Sequence, residues 1–246
     1  MDQVSDEGQL PALACRSELA LPVDLGDEYR YAHLSLCVLD AVFSIGVRYE
    51  GTAAVVRRYA EWANIGLSRQ HTELPPIDEQ QPIGEFIDHM EERSPERFAA
   101  EVVRNRQRTS SRGGILKAEA ALRFARTLDT AGIRFLQDVT SAAQDEKLDS
   151  VLRAIPGQGS GISVGYFFML AGDDNLVKPD RMIVRYVGKA VGRTVSVHEA
   201  ADAVLAACQL LKTDFAALTP RSLDHAIWSY QRQQRKARAV GRPDET

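Results

Sequence analysis

The sequence predicts an all-α protein, and three observations predict it. Apolar residues recur at helical spacing in one segment after another. Those segments open on capping residues and stop at glycine or proline. No stretch sustains period-two alternation with β-branched residues. The 246 residues are 44% hydrophobic and 26% charged, which excludes a disordered or collagen-like chain and suffices for one large domain or two small ones. Cys15, Cys37 and Cys208 are far apart and form no CxxC pair, so no disulfide framework is expected and a reducing cytoplasm is. No apolar run has the length of a membrane span, and Asp2, Asp6 and Glu7 are the opposite of a basic secretory start. A cytoplasmic protein with no membrane partner is therefore expected.

Residues 1–30 read as an acidic extension, 31–240 as the folded domain, and 241–246 as a tail. Tyr31 to Ile45 and Thr52 to Ile65 carry the first two helical patterns. Residues 66–81, with Pro75 and Pro76, read as a loop. Ser94-Pro95-Glu96 has a capping serine, proline at the first position and an acid in the first turn, and opens a helix to about Arg104. Asn105 to Gly114 is a polar, basic connector. Leu116 to Leu128 is amphipathic and ends near Gly132. Leu148 to Ile155 closes another helix at Pro156-Gly157. Ile162 to Leu170 is apolar almost all round and reads as buried. Met182 to Val191 follows, then a capping box at Ser196-Val197-His198-Glu199 opening a helix to about Leu211. Thr219-Pro220 opens the last helix, to about Gln233.

The net charge of −4 argues against a nucleic-acid partner, but the charges are segregated. Residues 101–126 hold seven cations against two acids, 178–193 five against one, and 221–242 six against one. Such segregation can leave a basic face on an acidic molecule, or simply three solvated helix surfaces.

The most informative stretch is Ile155-Pro156-Gly157-Gln158-Gly159-Ser160-Gly161, between two helical patterns. Three glycines supply the positive φ of a tight turn and permit close approach of another backbone. The amides of Gly159, Ser160 and Gly161 then lie at a helix N-terminus, which suits a phosphate. A glycine-rich helix connector without a ligand would look the same. Nineteen residues after Gly161 comes Val177-Lys178-Pro179-Asp180, in which Asp180 reads as an N-cap.

The order of helix, h-P-G-x-G hairpin, buried helix, Gly172 turn and V-x-P-D at a helix start resembles the helix-hairpin-helix DNA glycosylase superfamily. The resemblance spans about Leu36 to Arg232. Leu36 to Tyr59, with Ser44, is similar to that family's first core helix and following loop, and Gly114-Ile115-Leu116-Lys117-Ala118 to its G-x-x-K-A segment. It implies a two-lobed helical fold with the active site in a cleft, one lobe holding the hairpin over about 100–195 and the other built from N- and C-terminal helices. It further implies double-stranded DNA as partner, bound as a monomer, and a hairpin that grips the DNA backbone through Pro156, Gly157, Gln158, Gly159, Ser160, Gly161 and Lys178. In some members the hairpin carbonyls hold a monovalent cation.

Asp180 takes the position of the catalytic aspartate. Members that also cut the strand carry a lysine where this chain has Gly161, so the resemblance implies the monofunctional branch. A four-cysteine iron–sulfur cluster is not expected, because only Cys208 follows the hairpin. The family's wedge falls near Gly46, leaving Arg48 or Tyr49 as wedge or pocket residues. Asn105, Gln107 and Arg108 are candidates for reading a base edge. The expected activity is flipping out a damaged or modified base and hydrolysing its glycosidic bond, an anionic Asp180 facing the oxocarbenium-like charge. The alternatives are a non-enzymatic DNA-binding module and a scaffold with a decayed site. The base is open, from repair substrates to a hypermodified phage base attacked in defence.

Overall fold

The computed structural model describes residues 3–240 other than 24, 48, 71, 72 and 144; the side chains of residues 3–7, 28, 141 and 236–240 also lie outside the described set. In chain order the helices are α1 (Gln3–Glu18), α2 (Leu34–Phe43), α3 (Tyr49–Ala63), α4 (Ile83–Glu91), α5 (Ser94–Arg97), α6 (Lys117–Thr130), α7 (Val139–Ala142), α8 (Glu146–Arg153), α9 (Ile162–Ala171), α10 (Arg181–Val191), α11 (Val197–Leu211) and α12 (Pro220–Val240). Among the described residues the only β contacts are two isolated bridges, Tyr31–Ser68 and Arg108–Leu116, so the class is all-α. No helix among them is long and apolar enough to cross a membrane.

The chain forms two compact units, Gly26–Asp173 and a second built from Met1–Leu25 with Asp174–Thr246. The stretch expected as one lobe, 100–195, therefore contributes to both. In the first unit, α2 is buried over all ten residues and packs against α3, α4, α6 and α9. Its Leu34, Leu36, Val38, Leu39, Ala41 and Val42 leave no polar face for solvent. Asp40, also buried, accepts hydrogen bonds from the phenols of Tyr31 (2.7 Å) and Tyr166 (3.4 Å). At the other end of α2, Gln81 Oε1 accepts from Ser35 Oγ (2.7 Å) and Tyr59 Oη (3.1 Å). Tyr166, Phe167, Phe168 and Met169 of α9 are core residues.

The second unit packs α1 and α10 on α11, with α12 closing the core. The helix α1 lies in what reads as an acidic extension. Its buried positions among the described side chains are Gly8, Pro11, Ala12 and Cys15, which leave little hydrophobic pattern. A Cβ on Gly8 would sit 2.7 Å from Ala206 Cβ, so the glycine lets the two helices touch. Local signals hold well here. Ser196 Oγ accepts from Glu199 N (3.1 Å), and Glu199 Oε2 accepts from Ser196 N (2.7 Å).

Ser94 departs from its expected role. It has φ +62°, no side-chain cap bond is made at the start of α5, and after Arg97 the helix widens into a π-turn over Phe98–Val102. The cause is the preceding helix: α4 ends only three residues earlier, so Ser94 makes the bend between two helices.

Gly8→Val forces a branched side chain into the α1–α11 contact. We expect a stability loss of about 1–3 kcal/mol, read as a lowered denaturation midpoint; an unchanged midpoint would mean that α1 does not stay on α11.

Candidate functional site

The hairpin between α8 and α9 is where the structure places the glycine-rich motif. Asp145 Oδ1 caps α8, accepting from Lys147 N (2.9 Å) and Leu148 N (3.1 Å). The turn is closed by Gln158 N donating to Ile155 O and Gly161 N donating to Gln158 O, both at 2.9 Å. Two expected contacts change as a result. The Gly161 amide is engaged inside the turn and cannot serve a phosphate. The Gln158 side chain is fully buried, its Oε1 accepting from Ser163 Oγ, so it belongs to the turn's core. Pro156, Gly159 and Ser160 are exposed, and the Gly159 and Ser160 amides have no acceptor among the described residues.

The three glycines have different causes. Gly157 has φ +92°, and a Cβ there would lie 2.5 Å from Thr109 Cβ, so it admits the connector onto the hairpin. Gly161 has φ +74°, and its missing side chain leaves room for the Arg153 guanidinium, 2.3 Å from where a Cβ would be. Arg153 is ion-paired with Asp149 at 2.6 Å. Gly159 has neither cause: its φ is ordinary, and a Cβ would meet only Arg153 O, at 3.9 Å. Folding places no demand for glycine at 159.

The connector is a tight loop rather than a free one. Arg108 bridges Leu116, Thr109 N donates to Ile115 O (2.9 Å), and Lys117 N donates to Gln107 O (2.9 Å). Asn105 Oδ1 accepts from Gln107 N (2.9 Å), and Arg108 Nη1 donates to Gly114 O (2.7 Å). Asn105 and Arg108 therefore shape the loop. Gln107 is exposed, with its Oε1 3.4 Å from Lys117 Nζ. Arg104, Arg106 and Arg112 project into solvent with no ion-pair partner among the described residues. Elsewhere the basic excess is partly cancelled, as in Arg123–Glu119, Arg126–Glu91, Lys189–Glu18 and Arg193–Glu199.

Lys117 links the connector to the end of α2. Its Nζ is buried and donates to Phe43 O (2.9 Å) and Ile45 O (2.8 Å). Burial pushes the ammonium down to about 8, while the carbonyls at a helix C-terminus favour its charged form. The loop it holds continues through Gly46 (φ +68°) to Tyr49, which opens α3 half-buried beside Tyr29, ring centroids 6.4 Å apart. Arg48 lies outside the described residues.

Asp180 and Lys178 belong to the second unit. Asp180 Oδ1 caps α10, accepting from Met182 N (2.7 Å) and Ile183 N (3.3 Å). Its own amide donates to Lys178 O at 2.6 Å, a three-residue turn centred on Pro179. Sequence reasoning missed the residues below this turn. Asp224, in the second turn of α12, accepts from Lys178 N through Oδ1 (3.1 Å). Arg221, one turn earlier and buried, donates from Nη1 to Asp174 Oδ1 and from its amide to Asp174 O, both at 3.1 Å. Burial, then the nearby Asp180 charge, push the Asp224 carboxyl up to about 8, against Lys178 and Arg221, which favour ionisation. The available signal was two charged residues on the apolar face of a helix that begins at Thr219-Pro220. The three cysteines are free and buried, and the described residues contain no group of His, Cys, Asp or Glu that could hold a metal.

Lys117→Met removes the donor from two carbonyls and leaves them without a partner. We expect a loss of about 2–4 kcal/mol, measured by thermal and urea denaturation; a loss below that of an ordinary surface substitution would show that the ammonium is not needed there.

Comparison with curated proteins finds no match, and comparison with solved structures finds none. A family described as Domain of unknown function (DUF8548) matches residues 12–232, which takes in the hairpin, the connector, Asp180 and the first turn of α12. The chain belongs to the DUF8548 family.

Proposed function

We propose that this chain is a monofunctional DNA glycosylase of the helix-hairpin-helix type, two-lobed, binding double-stranded DNA and releasing a damaged or modified base. The observation that carries the proposal is Gly159. It is an exposed glycine without conformational or packing cause, beside two amides that lack acceptors, on the turn that leads into α9. A ligand that approaches the backbone closely and accepts from N–H groups accounts for it, and a DNA phosphate has both properties. Arg106 and Arg112, on the connector that Gly157 admits to the hairpin, add sequence-independent attraction.

Asp180 supplies the chemistry. Breaking a glycosidic bond builds positive charge on the sugar, and a fixed carboxylate stabilises that charge and orients water. One Asp180 oxygen is committed to the helix cap, which fixes the group. No lysine stands after the hairpin glycines. The space beside Gly161 is filled by Arg153, whose guanidinium is not a primary amine and forms no Schiff base. Lys117 is held by backbone carbonyls and buried away from any sugar. Water is then the nucleophile, and the product is a free base with an intact strand carrying an abasic site.

The test uses two variants and a panel of modified duplexes, followed by alkali. Gly159→Ala has room and an ordinary φ, so its melting temperature should equal that of the wild type while affinity for unrelated duplexes falls alike. Asp180→Asn keeps the cap and should retain binding but lose about a hundredfold or more in base release. Weakened binding by the first with no base release by the wild type would identify a DNA-binding module instead. Unchanged binding by the first removes the hairpin from the interface, and a borohydride-trapped adduct would refute hydrolysis by water.

Affinity should also fall with salt, each neutralised phosphate adding a slope of about −0.9 in log K against log salt. A flat titration would leave Arg106 and Arg112 outside the DNA-facing surface.

A further inference from the structure

We propose that the first two turns of α12 are a clamp that positions the Asp180 carboxylate, with Arg221 and Asp224 as its two positioning residues. The inference rests on the glycosylase reading for what the carboxylate does, and on geometry alone for the clamp.

The residues from Asp174 to Pro179 lie outside any helix. The N-terminal end of α12 holds them at two points. At the start, Arg221 binds Asp174 twice, through side chain and amide, at 3.1 Å each. Near the end, Asp224 Oδ1 takes the Lys178 amide at 3.1 Å. Between Lys178 and Asp180 the backbone closes on itself at 2.6 Å, so fixing Lys178 fixes Asp180. Asp180 is then held from its own side by the α10 amides. A carboxylate that must stand in one place against a sugar needs this kind of support, because misplacement by about an ångström can lower a rate by about a hundredfold.

Asp224 suits the task in its neutral form. The groups facing it are Asp180 and Lys178 from the strap and Arg221 from its own helix. Buried beside Asp180, it keeps its proton up to about pH 8. Its Oδ1 still accepts the Lys178 amide in that state, and Asp180 is left as the negative charge of the pair. Above that pH a second, buried negative charge lies beside Asp180 and pushes the strap away. The same shift has a sign for stability. Between the ordinary carboxyl range and about 8 the folded chain retains a proton that the unfolded chain has released. Stability must therefore fall as pH rises through that window.

Two variants of the full chain test this. Asp224→Asn keeps an oxygen for the Lys178 amide and is neutral at every pH; Asp224→Ala removes the acceptor. We expect the Lys178 amide to exchange at about the wild-type rate in the Asn variant and about tenfold faster in the Ala variant. The wild-type melting temperature should decline relative to the Asn variant between pH 5 and 8, and run parallel to it above. On a duplex from which the wild type releases a base, the release should fall through about pH 8 for the wild type and stay level for Asp224→Asn. Asp224→Ala should lose about tenfold to a hundredfold in rate with DNA affinity unchanged. Unchanged Lys178 exchange in the Ala variant, or the same pH response in wild type and Asn variant, overturns the clamp. If the wild type releases no base from any duplex, the glycosylase reading fails by itself, and exchange and melting still decide the clamp.

Discussion

The structure depends on the complete burial of α2. A helix with no solvent-facing side cannot leave its terminal carbonyls to water, since each helix end presents groups without intrahelical partners. At the C-terminal end Lys117 satisfies the last helical carbonyl, that of Phe43, and the carbonyl of Ile45 just beyond it. An ammonium there also opposes the negative end of the helix dipole. Lys117 begins α6 immediately after the connector, so its placement fixes the connector's exit. From there the order of contact runs to Gln107 and Thr109, and through Thr109 to Gly157 of the hairpin. The candidate site on the hairpin and connector is thus anchored, step by step, to the fully buried helix of its unit.

Each unit carries a different electrostatic device. The hairpin presents the Gly159 and Ser160 amides, with arginines on the neighbouring connector; the strap before α10 presents a carboxylate. The hairpin amides and the Asp180 cap are both set by backbone held by neighbouring elements; the connector arginines are long side chains, the kind that lose the most rotamer freedom when ordered.

Local chemistry was legible in the sequence, and tertiary chemistry was not. The Asp180 cap, the Ser196–Glu199 capping box and the Gly172 stop are written within a few residues and occur as expected. The burial of α9 followed from its unbroken apolar run. The helix α1 stayed hidden because Gly8, Ala12 and Cys15 pack by being small, a property that hydrophobic periodicity does not register. At the candidate site, the motif spacing pointed to Gly157, Gly159 and Gly161 together, while their separate causes lie in Thr109 and Arg153, visible only in three dimensions. Asp224 lies 44 residues beyond Asp180, and nothing in the spacing joins them. Gln158 shows the converse: a polar residue in an exposed turn reads as a contact, yet its side chain is the turn's internal support.

The second unit is assembled from the two ends of the chain, with the first unit inserted between them. This has a consequence for synthesis. The α1 residues leave the ribosome first, but the surface of α11 that receives Gly8 includes Ala206. At about 5–20 residues per second, on the order of ten seconds or more separate the two. The inserted unit is complete before then and can fold on its own contacts. The face of α1 that must find α11 is made of small residues, while Leu10 and Leu13 stay exposed even in the folded chain. Close backbone approach, not a large apolar patch, is what the late-arriving partner has to recognise.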